Sequence, residues 1–113
     1  MHEHGLCEGV LEAVDRRARG RRVAAVGVRV GAFLRVVPDA FTQSFQLAAS
    51  GGVAADASVD VVIVPGEVAC RTCGEVGKAD DPVPACMVCG SVDVDVRGGD
   101  ELTLEWLRYV EVG

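Results

Sequence analysis

The sequence is poor in aromatic side chains and has no long apolar run. Phe, Trp and Tyr together account for 4% of the 113 residues, although half of the chain is apolar, so Val, Ala and Leu have to form most of the core. No segment reaches the roughly 18 consecutive apolar residues that a transmembrane helix requires. The first residues also lack the charged and then apolar layout of a secretory signal. We therefore expect a cytoplasmic protein that does not associate with membranes.

Residue sets that are typical of enzymes are missing as well. The sequence contains no P-loop, no Ser/His/Asp set and no pair of carboxylates placed for acid–base chemistry. The formal net charge of −6 argues against a surface built as a whole for nucleic acid. We therefore expect a binding protein without catalytic turnover and without a nucleic-acid partner.

The spacing of the apolar residues predicts two helices and several strands. Apolar residues recur at intervals of three and four from Leu6 to about Arg19, which indicates a helix that ends at Gly20. Cys7 lies on the apolar stripe of this helix and is predicted to be a core residue. The other predicted elements are a strand at 23–30, a helix that Pro38 opens and Gly51-Gly52 closes, a strand at 59–64, a strand at 92–97 and a final strand at 102–112.

The segment from about Val68 to Val92 has a different character. It holds two pairs of cysteines with several Pro and Gly and little periodicity, so it cannot build a core of its own. After this segment, Gly98-Gly99 is a candidate hairpin turn between the strands predicted at 92–97 and 102–112. We predict an α+β fold in which a small sheet with two helices, residues 1–67 and 98–113, carries an inserted zinc-ribbon-like module, residues 68–97.

The four paired cysteines form the strongest chemical signal. Cys70 and Cys73 make one Cys-x-x-Cys pair, Cys86 and Cys89 make the other, and a glycine follows each pair. Two such turns can surround one Zn²⁺ ion with four thiolates at roughly 2.3 Å. All four positions are then filled by the protein and none remains for a substrate. The spacing therefore predicts a structural zinc site, whose negative charge Arg71 and Lys78 are placed to offset.

Three other interpretations of the cysteines are available. Iron also binds four thiolates, and ligand type alone does not separate it from zinc. A thioredoxin-type redox site needs only one Cys-x-x-Cys, near a βαβ unit, and buried free thiols need no metal. In a cytoplasm, where thiols stay reduced, the metal site is preferred over disulfides.

Positive charge is concentrated in the first third of the chain. Seven arginines and four acidic residues up to Arg35 give this part a net charge of +3, and the remainder carries −9. Five of these arginines lie within residues 16–22. They can complement the negative end of the first helix, dock an acidic protein partner or contact phosphate. We favour the first two; the third supports an alternative function, a zinc-ribbon adaptor that binds nucleic acid or a protein complex.

The chain begins Met1-His2-Glu3-His4, and this segment has the chemistry of a second metal site. The α-amine of Met1, the backbone nitrogen of His2 and the imidazole of His2 can close fused chelate rings on one ion. Nitrogen-rich tetragonal surroundings suit Ni²⁺ and Cu²⁺. Glu3 and His4 are candidates to complete the coordination. The plain alternative is a solvated terminus whose histidines bind nothing.

The combination of these motifs resembles the HypA/HybF family of nickel metallochaperones. The similarity starts with Met-His-Glu and spans nearly the whole chain. The segments that carry it, besides the two Cys-x-x-Cys-Gly pairs, are LCEGVL at 6–11, VVPDAF at 36–41, VPGEVAC at 64–70 and GDEL at 99–102.

The resemblance implies a cargo and partners. Members of the family deliver Ni²⁺ to the large subunit of [NiFe]-hydrogenase together with a maturation GTPase, and some also serve urease and its accessory proteins. Carried over to this chain, His2 is the essential nickel ligand, with the Met1 amine and the backbone of Glu3 nearby. The four paired cysteines are the ligands of a structural Zn²⁺. The chain departs from the family pattern at His4-Gly5.

Overall fold

The fold consists of two helices and two small sheets. A computed structural model describes residues 2–82 and 85–111, with side chains described from Gly5 onward. Its elements are α1 (His2–Ala18), β1 (Val23–Gly31), a short 3-10 helix (Ala32–Leu34), α2 (Pro38–Ala48), β2 (Ser58–Val64), β3 (Gly66–Cys70), β4 (Val76–Ala79), β5 (Val94–Arg97) and β6 (Leu102–Tyr109). The strands form sheets in the orders β2-β1-β6 and β4-β3-β5. The predicted α+β class is confirmed. None of the described helices is long and apolar enough to cross a membrane.

The chain divides into two compact units. The first contains the described residues of Met1–Arg29, Val36–Val62 and Leu102–Gly113, and the second contains those of Val30–Arg35 and Ile63–Glu101. The second unit takes in residues 30–35 because the amides of Gly31 and Phe33 donate to the carbonyl oxygens of Glu101 and Gly99, both at 2.7 Å. It is therefore wider than the predicted module at 68–97, whose bounds as a domain stay a prediction.

Helix α1 buries the stripe that its sequence predicts. Cys7, Val14 and Ala18 are fully buried, and the thiol of Cys7 donates a hydrogen bond of 3.3 Å to the carbonyl oxygen of Phe41. This bond joins α1 to α2, which suits the prediction of Cys7 as a core residue. The helix begins earlier than predicted, at His2, and ends at Ala18, after which Arg19 and Gly20 take φ angles of 50° and 83°.

Helix α2 begins and packs as its sequence predicts. Pro38 lies in the first turn, where its missing N–H leaves no hydrogen bond unmade, and Asp39 complements the positive end of the helix. Phe41 and Phe45 are fully buried. These two rings supply the large side chains that a core built of Val and Ala otherwise lacks.

The first sheet is buried most deeply along β1. Val26, Val28 and Val30 have no exposed surface, as the alternation along this strand predicts. In β6, Leu104 is buried, whereas Trp106 remains 40% exposed. The apolar face of the last strand is therefore buried in part.

The second sheet was not predicted, apart from its strand β5. Strand β3 pairs antiparallel with β4 on one side and with β5 on the other. The predicted hairpin at Gly98-Gly99 was wrong, because β5 and β6 belong to different sheets. The two glycines have φ angles of 65° and 80°, and the ring of Phe33 occupies the space that a side chain at position 99 would need. They allow a link between the sheets that passes close to Phe33.

Candidate metal centre

The four predicted cysteines come together in the second unit. The ligand sulfurs of Cys70, Cys73, Cys86 and Cys89 all lie within 4.8 Å of one another. Across the two pairs, the sulfurs of Cys70 and Cys89 are 3.7 Å apart and those of Cys73 and Cys86 are 3.6 Å apart. No disulfide joins them. The fold thus gathers four free thiols from two separate turns into one cluster.

The two cysteine turns are built by the same backbone pattern. In the first, the amide of Cys70 donates to the carbonyl oxygen of Glu75 at 2.8 Å, and the amide of Gly74 donates back to Cys70 at 3.1 Å. In the second, the amide of Cys86 donates to Ser91 and that of Gly90 to Cys86, at 2.8 and 2.9 Å. We call each six-residue turn, 70–75 and 86–91, a knuckle.

Glycine is required in each knuckle. Gly74 has a φ of 79° and Gly90 a φ of 77°, in the left-handed region that other residues seldom adopt. The sequence predicts this from the glycine that follows each Cys-x-x-Cys pair. This conformation lets the amide of each glycine donate to the carbonyl oxygen of the first cysteine in its knuckle. It also leaves the amides between them near the sulfur of that cysteine.

Those amides favour the thiolate form of the first cysteine in each knuckle. The amide of Cys73 approaches the sulfur of Cys70 at 3.4 Å and is the main cause that lowers the pKa of Cys70 to about 6. In the second knuckle, the amides of Cys89 and Val88 lie 3.5 and 3.4 Å from the sulfur of Cys86 and lower its pKa. Cys70 and Cys86 are therefore prepared to bind a cation as thiolates.

The second cysteine of each knuckle is less acidic. The backbone amide of Glu75 lowers the pKa of Cys73, but desolvation and the neighbouring thiols outweigh it and raise this pKa to about 12. The pKa of Cys89 is also raised, since desolvation and the Cys70 thiol outweigh the backbone amide of Ser91. Four thiolates this close repel one another unless a cation lies among them.

The cluster fits a four-coordinate ion. Zinc–sulfur bonds of roughly 2.3 Å in a regular tetrahedron place neighbouring sulfurs about 3.8 Å apart. The two distances across the knuckles, 3.7 and 3.6 Å, are close to that value. Cys70 and Cys86 are buried while Cys73 and Cys89 are exposed, so the cluster lies at the surface of its unit. The donor set suits Zn²⁺ and equally an iron–thiolate centre.

Polar side chains around the knuckles join them to each other and to β5. The guanidinium of Arg71 binds the carboxylates of Asp93, at 2.7 Å, and Asp95. The hydroxyls of Thr72 and Ser91 are 2.8 Å apart and connect the two knuckles. Arg71 was predicted only to offset the charge of the cysteine site. These contacts were not predicted, although the alternation of Asp93 and Asp95 along one strand face is a signal for them.

The residues predicted to bind nickel lie at the start of α1. The backbone of His2, Glu3 and His4 forms the first residues of this helix. Met1, and the side chains of the three residues after it, lie outside the described part of the chain. Their role as nickel ligands stays a prediction.

Comparison with known proteins places the whole chain in one group. A family profile described as "Hydrogenase/urease nickel incorporation, metallochaperone, hypA" matches residues 1–109. A "Hydrogenase maturation factor HypA" from Rhodopseudomonas palustris strain BisB5 is 38% identical over an alignment of 111 residues that covers 96% of this chain and 98% of the relative. A protein of the same name from Nostoc punctiforme is 31% identical over 112 residues, 99% of this chain and 98% of the relative.

Solved structures share the fold. The solution structure of the Ni metallochaperone HypA from Helicobacter pylori aligns with a TM-score of 0.68 at 23% identity, over 97% of this chain and 98% of that one. A second solution structure, of a HypA protein, aligns with a TM-score of 0.63 at 23% identity and covers 97% of both chains.

Proposed function

Because this chain belongs to the HypA family of nickel metallochaperones, we propose that it binds Ni²⁺ through its first residues. The single observation that supports this site is that the family match starts at residue 1 and therefore includes the Met-His-Glu segment. The α-amine of Met1 and the imidazole of His2 are the main donors, and Glu3 and His4 complete the set. Nitrogen donors of this kind suit Ni²⁺.

The proposed cargo is delivered to a nickel enzyme in the cytoplasm. The curated relatives are named hydrogenase maturation factors, which favours the large subunit of [NiFe]-hydrogenase as the recipient. A maturation GTPase is the proposed partner in this step. The family description also names urease, so urease accessory proteins are second candidates. A carrier of this kind releases its ion unchanged, so no catalytic turnover is involved.

The cysteine cluster has a separate role in this proposal. Cys70, Cys73, Cys86 and Cys89 hold a Zn²⁺ ion that stabilises the module at 68–97, while residues 1–67 and 98–113 form the nickel-binding domain. The sulfur distances and the amide donors described above support this assignment. With all four ligand positions filled by protein, the ion supplies folding energy and leaves no position open for a substrate.

Calorimetric titration with Ni²⁺ tests the proposed site. Untagged protein is expected to bind with a Kd on the order of 1 μM, equivalent to about −8 kcal/mol. The variant His2→Ala should lose this binding, and an extra residue before Met1 should weaken it, since the α-amine then moves away from the imidazole. Zinc content, measured on the same samples, should stay unchanged. Equal nickel affinity in His2→Ala and the parent protein would overturn the proposal.

A further inference from the structure

A cluster of five arginines at the end of α1 belongs to neither of the two metal sites. Arg16 and Arg17 lie in the last turn of the helix, and Arg19, Arg21 and Arg22 follow in the link to β1. All five are exposed. Five cations within seven residues repel one another. Complementing the negative end of a single helix does not require so many positive charges. This density, in a chain whose net charge is −6, indicates a binding surface.

Part of the cluster is held in place by β6. The guanidinium of Arg21 lies over the ring of Tyr109, 3.8 Å from its centre. The hydroxyl of Tyr109 in turn donates to the carbonyl oxygen of Arg17 at 3.2 Å. The amide of Val110 donates to the carbonyl oxygen of Arg22 at 2.9 Å. A guanidinium held against an aromatic ring loses less conformational entropy on binding than a free one.

The charge of the cluster is almost unneutralised within its own unit. Arg22 pairs with Asp56 at 3.0 Å, and both of these side chains are more than 60% exposed. In the described part of the chain, the other four arginines form no ion pair. A groove of about 630 Å³ adjoins the cluster, and two cations, Arg21 and Arg22, line it against one acidic side chain, Glu111. The surface thus offers both charge and a concavity.

We propose that the arginine cluster docks an acidic segment of a partner protein. Guanidinium groups bind carboxylates through paired hydrogen bonds, and a concentrated positive patch speeds the approach of an acidic surface. Nucleic acid is disfavoured because Arg21 already covers the face of Tyr109 on which a base would stack. This docking surface is independent of the proposed nickel and zinc ligands.

Fluorescence anisotropy of a labelled peptide of Asp, Glu and Gly measures the docking directly. The zinc-loaded full chain should bind the peptide saturably at low ionic strength, and the affinity should fall as salt screens the charges. The double variant Arg17→Glu/Arg21→Glu should raise the Kd by about tenfold or more. Lys78→Glu makes the same kind of charge change on an exposed residue of β4 and should leave the Kd within about twofold.

Two further measurements keep the result unambiguous. Arg16→Glu replaces an exposed side chain that forms no hydrogen bond or ion pair in the described structure, so it should fold normally and still weaken peptide binding. An oligo-dT single strand serves as the nucleic-acid probe, and sedimentation reports binding of a second copy of the chain. The proposal is overturned by tighter binding of oligo-dT than of the peptide, by self-association that the double variant abolishes, or by equal losses in Lys78→Glu and the cluster variants.

Discussion

The indole ring of Trp106 lies over the backbone of Gly27, in the space that any larger side chain at position 27 would occupy. These residues belong to the neighbouring strands β6 and β1. Glycine normally weakens the interior of a strand. Here it permits the ring of Trp106 to approach the backbone of β1 closely, so that the indole packs on the sheet although it remains partly exposed.

Replacing Gly27 should therefore destabilise the first unit. In Gly27→Ala the new methyl group meets the indole, and the displaced ring should cost about 1–3 kcal/mol of unfolding free energy. Urea unfolding followed by the fluorescence of Trp106, the chain's single tryptophan, measures this change. Gly9→Ala is the control, because position 9 in α1 has open space around it and should gain about 0.5–1 kcal/mol. Equal stability of the two variants would contradict the packing described here.

Removing one sulfur should release the metal from the cysteine cluster. We expect Cys73→Ala to be purified without stoichiometric zinc and to be cleaved by protease within the second unit, since metal binding supplies most of its folding energy. Elemental analysis and limited proteolysis report the two effects. Cys7→Ala, a change of the same kind in the core of the first unit, should lower stability but retain the zinc. A protease-resistant second unit in metal-free Cys73→Ala would refute this expectation.

Arg71 should control how fast the zinc ion can be removed. Its guanidinium joins the first knuckle to Asp93 and Asp95 of the following segment, but the side chain is half-exposed, so the effect on overall stability is small. Arg71→Ala should transfer zinc to a coloured chelator several-fold faster than the parent protein. Arg97→Ala is the matched control, because the guanidinium of Arg97 lies 3.7 Å from the carboxylate of Asp95 and so forms a longer, weaker ion pair. Identical transfer rates in the two variants would show that the Arg71 pairs do not restrain the knuckle.

Nickel affinity should depend on pH in one direction only. The proposed donors are an α-amine and an imidazole, whose ordinary pKa values are about 7.7–8.0 and about 6.5. Protons compete with Ni²⁺ for both nitrogens, so binding should weaken steadily as the pH falls through this range. Titrations at a series of pH values, with His4→Ala beside the parent protein, also report whether the second imidazole contributes. A constant affinity across the range would exclude these donors.

The first unit is predicted well from the sequence, because the spacing of apolar residues along its helices and strands follows the face that each element buries. Most of the α1 stripe, the rings of Phe41 and Phe45 and the valines of β1 are buried as predicted, while Leu6 and Leu11 of the stripe are half-buried. The four cysteines were also identified correctly as a cluster, since the Cys-x-x-Cys-Gly spacing fixes the local turn. These features depend on contacts that are short-range in sequence or on one repeated apolar pattern.

The second sheet escaped prediction because its strands are short and one of them, β4, is mostly exposed. β4 covers only Val76–Ala79 and shows no apolar alternation, and its position is fixed by pairing with β3. At Gly98-Gly99 the sequence is compatible with a hairpin, and the choice of another path depends on Phe33 and on pairing with residues far away in sequence. Long-range partners of this kind leave no local signature.

The repeated backbone pattern of the two knuckles bears on how the site assembles. Each turn closes its own hydrogen bonds and needs nothing from the other, so each is a bidentate chelator in its own right. We expect the ion to be bound in two steps, first by one knuckle and then by the other. The twelve residues between Cys73 and Cys86 include β4, and its pairing with β3 shortens the flexible part of the loop, which lowers the entropy cost of the second step.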